Sequence, residues 1–497
     1  MKLIDPLRHR QLFLDDHAIG EAINLRRTLH QPTKYGPVLR PDRDRGEKYV
    51  QSTSSPQWNP ERKCWEWWYN AFTTYGDISH NLYASSTDGL HWDRPGLGRY
   101  EWHGSRENNV AYASEEWALC HILRDDIDPD PGRRYKAFFT AKTNFDRWPG
   151  ISPDGFDWTV LDVPPIPSQD TSQLIYDEIG ARYLATVKHR TAWGRSAWLV
   201  TSGDFVHWTA PELILHTDEI DQANRQHRID AVVQDPAYLS PPIVDGRNYI
   251  AQLYMMPVMP YEGAYIGFPL LFNPSGPDPS QMNHTGLNQV ELAVSRDAYH
   301  WQRVADRSIF IGVEPWNGGS NYATAQVAVC NRPIVRDDEI CIYYMAARSR
   351  GHRDLFAGLD PAIYNDDFFD DCGALYLTRL RRDGFVSLDA ADEGALLTKP
   401  FRVAGDHLYV NAEVADGELC AEIVDAATLI PQPGFSVREC IPLQGDHLQG
   451  RVEWMDFENM QEKHIKNING EEKKPVSAPA KPKPEPPVAK PEESTKR

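Results

Sequence analysis

The sequence predicts an all-β protein: a five-bladed β-propeller followed by a small β-sandwich-like segment and a disordered tail. Three observations carry this expectation. Glycine (33 residues), proline (38) and an aromatic content of 11% favour many turns and short strands over long helices. A turn motif, Ser-x-Asp-x-x-x-Trp, recurs four times along the chain. No long amphipathic helix with caps is visible, so the eight helices of a TIM barrel are missing. At 497 residues and 41% apolar content the chain can bury more than one ordinary core.

The repeat counts the sheets. Its copies are Ser86-Thr-Asp-Gly-Leu-His-Trp92, Ser152-Pro-Asp-Gly-Phe-Asp-Trp158, Ser202-Gly-Asp-Phe-Val-His-Trp208 and Ser295-Arg-Asp-Ala-Tyr-His-Trp301, with a weaker fifth at Arg382-Asp383-Gly384-Phe385. Successive aspartates lie 66, 50, 93 and 86 residues apart. Each aspartate can accept hydrogen bonds from backbone N–H groups of its own turn, and the tryptophan returns to cover the sheet. The motif is therefore structural. Between copies lie strand-like runs bounded by turn residues: Trp65–Asn70, Arg134–Phe139, Arg182–Val187, Tyr249–Tyr254 and Ile340–Met345. Roughly four short strands per unit, over residues 1–390, predict five blades, since radial repetition protects sheet edges.

After residue 390 the pattern changes. Residues 391–458 read as alternating strands with Pro-Gly and Asp-Gly turns, short for an independent sandwich. Residues 459–497 form a Pro/Lys/Glu-rich tail. The 27 residues after Gly470 hold seven Pro, six Lys, one Arg, five Glu and no aromatic, a composition that cannot bury a core.

Charge and motifs exclude several functions. Lys+Arg 52 against Asp+Glu 71 gives −19, which repels nucleic acid and anionic membranes. No apolar run reaches the ~18 residues of a membrane span, and the N-terminus lacks a signal peptide, so a cytoplasmic location is expected. Seven scattered cysteines without a CxxC pair read as buried or partly buried free thiols. The absence of HExxH, an EF-hand loop, GxGxxG, GxxxxGK[ST] and GxSxG leaves no metal and no cofactor indicated, and disfavours an esterase.

Several phrases carry a resemblance: Leu12-Phe-Leu-Asp-Asp-His17, Arg26-Arg-Thr-Leu-His-Gln-Pro32, Asn108-Asn-Val110, Met256-Pro-Val-Met-Pro-Tyr-Glu-Gly263 and Arg382-Asp-Gly-Phe-Val-Ser-Leu-Asp389. Together with the repeat they resemble the five-bladed propeller glycosidases, the invertase, levansucrase and arabinanase superfamily, and more narrowly its uncharacterised bacterial members. The resemblance spans most of residues 10–450. It implies a glycoside hydrolase acting on a carbohydrate substrate in an axial funnel. The chain departs from the invertase pattern: Gln51-Ser-Thr-Ser-Ser-Pro56 stands near the first acidic motif, and no Arg-Asp-Pro occurs, with Arg124-Asp125-Asp126 reading as a hairpin end. Catalytic residues therefore do not carry over, and fructan cleavage is not implied.

Glycoside cleavage needs a proton donor and a second carboxylate. In a propeller these sit just ahead of the innermost strands. Asp170, in Ser168–Tyr176, Glu47, in Arg45–Tyr49, and Glu314, in Gly312–Asn317, occupy such positions and are the expected catalytic residues, though each also suits a surface turn. One of them would need a raised pKa to hold a proton near pH 7. Of the adjacent acids Asp15 and Asp16, at most one can face the funnel. Asn108 and Asn109, leading into the second blade, offer amides for sugar hydroxyls. Arg228 and Asp230 line the rim or pair with each other. Trp193, Trp316 and Tyr322 are stacking platforms or core residues. Glu262, before Gly263, and Asp245-Gly246 read as hairpin turns. Two other functions fit the same fold. A phosphorylase would place clustered Arg or His beside one acid. A non-catalytic sugar-binding propeller would show aromatics and amides without a close carboxylate pair.

Overall fold

The computed structural model describes residues 4–72, 80–244, 250–275, 285–350, 353–403 and 405–455. The Asp245-Gly246 turn, the start of the strand at Tyr249 and the tail at 459–497 lie outside the described residues. The chain divides into two compact units, Met1–Ala404 and Gly405–Arg497.

The first unit is mostly β, with several four-stranded antiparallel sheets, an arrangement consistent with a propeller. Tyr49–Gln51, Cys64–Phe72, His80–Ser86 and Val110–Ala113 pair in that order. Trp117–Arg124, Tyr135–Ala141, Trp148–Ser152 and Thr159–Val160 form the next sheet, and Gln173–Asp177, Arg182–Thr191, Gly194–Ser202 and Glu212–Leu215 another. Further on, Gln252–Met255 and Val258–Tyr261 pair with Leu270–Pro274 and Ala264–Gly267, and these with Gly286–Val290 and Ala293–Ser295; Trp301–Arg303 lies at the outer edge. The last group runs Gln326–Val329, Glu339–Ala347, Gly373–Arg381, and its outer strand is the N-terminal Thr33–Leu39. Chain ends are thus joined by sheet pairing. Nearby, Arg26–Leu29 pairs with Val386–Asp389 and Ile19–Ile23 with Ala395–Thr398, so the strand after residue 390 belongs to the first unit.

The middle strands are buried on both faces, which is why they read as near-continuous apolar runs instead of alternating ones. Trp67 and Tyr343, both fully buried, meet edge to face at 5.2 Å between neighbouring groups.

The turn motif forms as the sequence predicts. In each full copy the serine hydroxyl donates to the aspartate Oδ1: Ser86 to Asp88 (2.9 Å), Ser152 to Asp154 (3.0 Å), Ser202 to Asp204 (3.1 Å) and Ser295 to Asp297 (3.1 Å). The same oxygen accepts two backbone N–H groups, for Asp204 those of Val206 and His207 at 2.8 Å. The tryptophan of three copies donates its indole N–H back into the turn, as Trp301 does to Ala298 O at 2.8 Å. In the fifth copy Arg10 reaches Asp383 at 3.3 Å in place of the missing serine contact. The Glu262-Gly263 step is a turn between strands, as expected, with φ of 48° and 71°.

One element departs from the sequence expectation. Glu219–Gln234 is a 16-residue helix, α1, capped by Asp218, whose side chain accepts from Ile220 and Asp221 while Asp221 accepts back from the Asp218 N–H. Its buried residues are Asp221, Arg225, Ile229 and Val232. Half of that inward face is charged, which hides the apolar period. The charges are answered across the interface: Arg228 pairs with buried Glu291 at 2.5 Å, and Arg303 and Arg307 reach Asp221 at 3.3 and 3.1 Å.

In the second unit the described residues form one three-stranded sheet, Leu408–Leu419, Leu443–Trp454 and Cys440–Ile441. A sandwich needs a second layer, and among described residues 405–455 there is one sheet. All seven cysteines are free thiols in buried or half-buried positions. No helix among the described residues is long and apolar enough to cross a membrane.

The turns give a test. Burial works against ionisation of Asp204, but hydrogen bonds from His207, Val206 and Ser202 outweigh it and hold the carboxyl below the ordinary 3.8. Its stabilisation is complete above pH 3.8 and is lost as pH falls toward the lower folded value. Asp204→Ala is expected to lower stability by about 1 kcal/mol at neutral pH, with the difference from wild type shrinking in acid, as read from urea midpoints.

Candidate functional site

Asp170 lies on the loop that enters Gln173–Asp177, in a left-handed conformation at φ 83°. Its side chain is 41% exposed. Burial is nevertheless the largest influence on its carboxyl. Lys188 donates to Asp170 Oδ2 at 2.8 Å. Burial alone would raise the Asp170 pKa, but Lys188, Arg147 and Arg195 bring it down to about 2.

Lys188 and Arg195 come from one sheet, Arg147 and Arg350 from two others. Lys188 stands in Arg182–Thr191, Arg195 opens Gly194–Ser202, Arg147 precedes Trp148–Ser152, and Arg350 follows Glu339–Ala347. Lys188 and Arg190 project from one face of their strand, and Arg190 stands directly opposite Arg195. The Lys188 ammonium sits 3.7 Å over the Tyr254 ring, and Arg195 and Arg350 each approach that ring at 4.9 Å. Arg350 also stacks 4.1 Å over Phe272 and donates to Gln326 Oε1 at 2.6 Å, an oxygen that Asn288 also reaches at 3.1 Å. Arg147 is held by Ser172 Oγ at 2.7 Å and Phe145 O at 2.6 Å. Burial lowers the Lys188 pKa to about 8, against the pull of Asp170 and aided by Arg195. Burial likewise brings Arg195 down to about 10. A crevice beside Lys188 and Tyr254 is lined by Thr171, Gln173, Thr186 and Ser196.

The other predicted residues occupy separate surroundings. Glu47 is sealed: its side chain has no exposure, Oε2 accepts from the Asp42 N–H at 2.9 Å, and Arg94 stands 3.5 Å away. Burial raises its pKa above the ordinary glutamate value, so the one carboxyl shifted upward among the described residues lacks solvent access. Asn108 donates to Tyr100 O and Ser105 O, and accepts from Val110 N. Asn109 donates to Tyr69 OH and Tyr83 O, and accepts from Arg45. Both amides are spent on holding Val110–Ala113, which pairs with His80–Ser86 of the first sheet and not with the second. Asp15 pairs with Arg296 at 2.7 Å, and exposed Asp16 with Arg27 at 2.5 Å. Arg228 and Asp230 do not pair. Arg228 locks helix α1 to Glu291, and Asp230 accepts from Gln226 at 2.7 Å.

Glu314 is 29% exposed, pairs with Lys34 at 2.8 Å and accepts from Asn321 at 3.0 Å. Further along the chain, Tyr322 is fully buried and donates to Asp371 at 2.6 Å, beneath Arg348 at 4.1 Å from its ring centre. Trp316 lies 5.5 Å from both Arg348 and the Phe368 ring. Trp193 stacks on His216 at 6.4 Å. Arg348 and Arg350 both follow the end of Glu339–Ala347. Among the described residues no group of three or more His, Cys, Asp or Glu could hold a metal ion.

The cations were missed because each sits at the end of an apolar strand. The available signal was Lys188-His-Arg-Thr-Ala-Trp-Gly-Arg195, a hairpin basic on both arms at the same end as Asp170.

No protein-family model matches the chain, and no curated protein matches it. Solved structures do. An N-acetylgalactosamine deacetylase from F. plautii in complex with blood group B trisaccharide matches at TM-score 0.41 and 13% identity, over 72% of this chain and 96% of that one. A structure from the GH130 family of mannoside phosphorylases, which contains glycoside hydrolases that target β-1,2-mannosidic linkages in Candida mannan, matches at 0.41 and 14%, over 76% and 98%. A β-fructofuranosidase from Schwanniomyces occidentalis complexed with fructosyl-erythritol matches at 0.40 and 12%, over 78% and 67%. At these scores no activity or residue role transfers.

The cluster predicts an unusual titration. In lysine-labelled protein one ammonium should titrate near pH 8 in place of the ordinary 10.5, and its NMR signal should vanish in Lys188→Met. A lysine set titrating wholly at the ordinary value would contradict the arrangement.

Proposed function

We propose that this chain is a glycan-active enzyme that cleaves a glycosidic bond at the Asp170 cluster, with its sheets arranged as five blades around an axis. Contacts between successive groups support the ring. Ser54 Oγ accepts from Ile122 N (3.0 Å), Ser172 from Arg147 (2.7 Å), Met256 O from Thr186 (2.8 Å), Asn288 pairs with Gln326, and Asn331 O accepts from Ser55 N (2.7 Å). In that arrangement Asp170, Lys188, Arg147, Tyr254 and Arg350 converge at one mouth of the channel.

The observation that carries the reading is Asp170 itself: a carboxylate reachable from solvent and ion-paired to a buried lysine. Held near pKa 2, it is ionised at neutral pH. It suits the role of base or nucleophile, not of proton donor. Glu314 is likewise ion-paired to a lysine, Lys34, and is not assigned the donor role in this reading. Glu47 keeps a structural role in this reading, since its carboxyl is enclosed.

Hydrolysis is the leading reaction. Phosphorolysis is a second reading, favoured by the cations that crowd a single acid. A glycoside panel assayed with and without inorganic phosphate separates them. Asp170→Asn is expected to lower kcat by about a thousandfold with CD unchanged. Cleavage in phosphate-free buffer supports hydrolysis, whereas strict phosphate dependence selects phosphorolysis. Full activity in Asp170→Asn removes that residue from the mechanism.

A further inference from the structure

Two of the seven free thiols lie against each other in the second unit. Cys420 follows the strand Leu408–Leu419, and Cys440 opens the short strand Cys440–Ile441. The Cys440 sulfur accepts from the Ala421 N–H at 3.3 Å, one peptide bond from Cys420. The two side chains are themselves hydrogen-bonded. Cys440 is 4% exposed, whereas Cys420 is half-buried and keeps partial access to solvent.

The sheet holds this pair in place. Cys440 stands opposite Trp454, and the Trp454 indole N–H donates to Ala421 O at 3.0 Å. One tryptophan thus fastens the backbone beside both cysteines. Thiols elsewhere make other contacts: Cys120 donates to Ala118 O, Cys330 to Ser52 O and Cys341 to Glu339 Oε1. Thiols in hydrogen-bonding contact need only side-chain rotation to reach the roughly 2 Å of an S–S bond.

The segment between the two gives such a bond something to hold. Residues 421–439 contain no helix or strand. They are tied by single backbone bonds, such as Ile423 N to Phe435 O at 3.0 Å and Gln432 N to Ile423 O at 2.8 Å. Leu429, Ile430, Phe435 and Val437 stand exposed along them. A segment anchored this way opens locally more readily than a sheet, and a crosslink at its two ends removes much of that freedom.

We propose that Cys420 and Cys440 form a reversible disulfide that closes residues 420–440 into a loop, made by exchange with a small-molecule disulfide such as oxidised glutathione. The more accessible Cys420 thiolate attacks one sulfur of the reagent and releases one thiol. The Cys440 thiolate then attacks Cys420 Sγ in the mixed disulfide and releases the second. One S–S bond breaks and one forms. The two cysteines are oxidised, the reagent is reduced to two thiols, and these take up the cysteine protons. Burial and the neighbouring Cys440 raise the Cys420 thiol pKa, so the pair reacts slowly at neutral pH. The site is independent of the Asp170 reading.

The test uses the full folded chain, incubated with oxidised glutathione in mildly alkaline buffer, quenched with iodoacetamide and digested with trypsin without reductant. Trypsin cuts after Arg402, Arg438 and Arg451, which places the two cysteines in separate peptides, Val403–Arg438 and Glu439–Arg451, with one each. Mass spectrometry is expected to find these peptides joined, with the thiol titre falling from seven to five and dithiothreitol restoring it. The protein should run at monomer size on a non-reducing gel. Cys440→Ser is expected to abolish the link and to trap glutathione on Cys420; Cys420→Ser abolishes the link as well. Seven free thiols with no joined peptide overturn the proposal. So does glutathione that persists on Cys420 in the wild type, which would show that Cys440 does not reach it. Joined peptides confined to a dimer-sized band place the bond between chains and also overturn it.

Discussion

A sheet buried on both faces has nowhere to place charge except at its ends. This constraint organises the first unit. The middle strands, such as Glu339–Ala347 and Gly373–Arg381, are apolar through their length because neighbouring sheets cover both sides. Charged and polar residues are pushed to the strand termini, where two different solutions appear. At one end the aspartate turns satisfy themselves with local backbone donors and serine hydroxyls. At the other, cations from separate sheets meet around Asp170, and their partners come from elsewhere in the chain. The first end is closed chemically; the second keeps unanswered donors and acceptors.

That division explains what was legible. The Ser-x-Asp-x-x-x-Trp turns could be read because the hydrogen bonds that shape them, from the serine hydroxyl and the turn's own N–H groups to the aspartate, lie within seven residues. Asp170 was singled out because its position just ahead of the strand Gln173–Asp177 is itself a local pattern. Glu47, Asn108 and Asn109 shared similar positions, yet Glu47 and Asn109 turn inward to Arg94 and Tyr69, contacts between segments far apart in sequence, and Asn108 is spent within its own loop on Tyr100 and Ser105. Helix α1 was invisible for a related reason. Its inward face contains Asp221 and Arg225, so its stripe became recognisable only beside Arg303 and Arg307. The cations of the cluster are meaningful only as a set, and no spacing rule links Arg147 to Arg350.

Ion pairs here do two kinds of work. Around α1, Arg228 and Arg303 converge on buried Glu291, and Asp221 answers Arg303 and Arg307. The charges balance locally, so the network fastens the helix and offers no opening to a ligand. Around Asp170 the contacts are of another kind. A single carboxylate faces several guanidinium and ammonium groups, and aromatic rings supply the remaining contact.

The pairing of Thr33–Leu39 with Gly373–Arg381 also governs how the molecule is made. During synthesis the early strand emerges from the ribosome hundreds of residues before its partner exists. Until then the nascent chain carries two unmatched sheet margins, one at its beginning and one at its growing front. Completion of the body is consequently a late event that waits on translation near residue 381, and a chain released before that point would keep both margins open to other molecules.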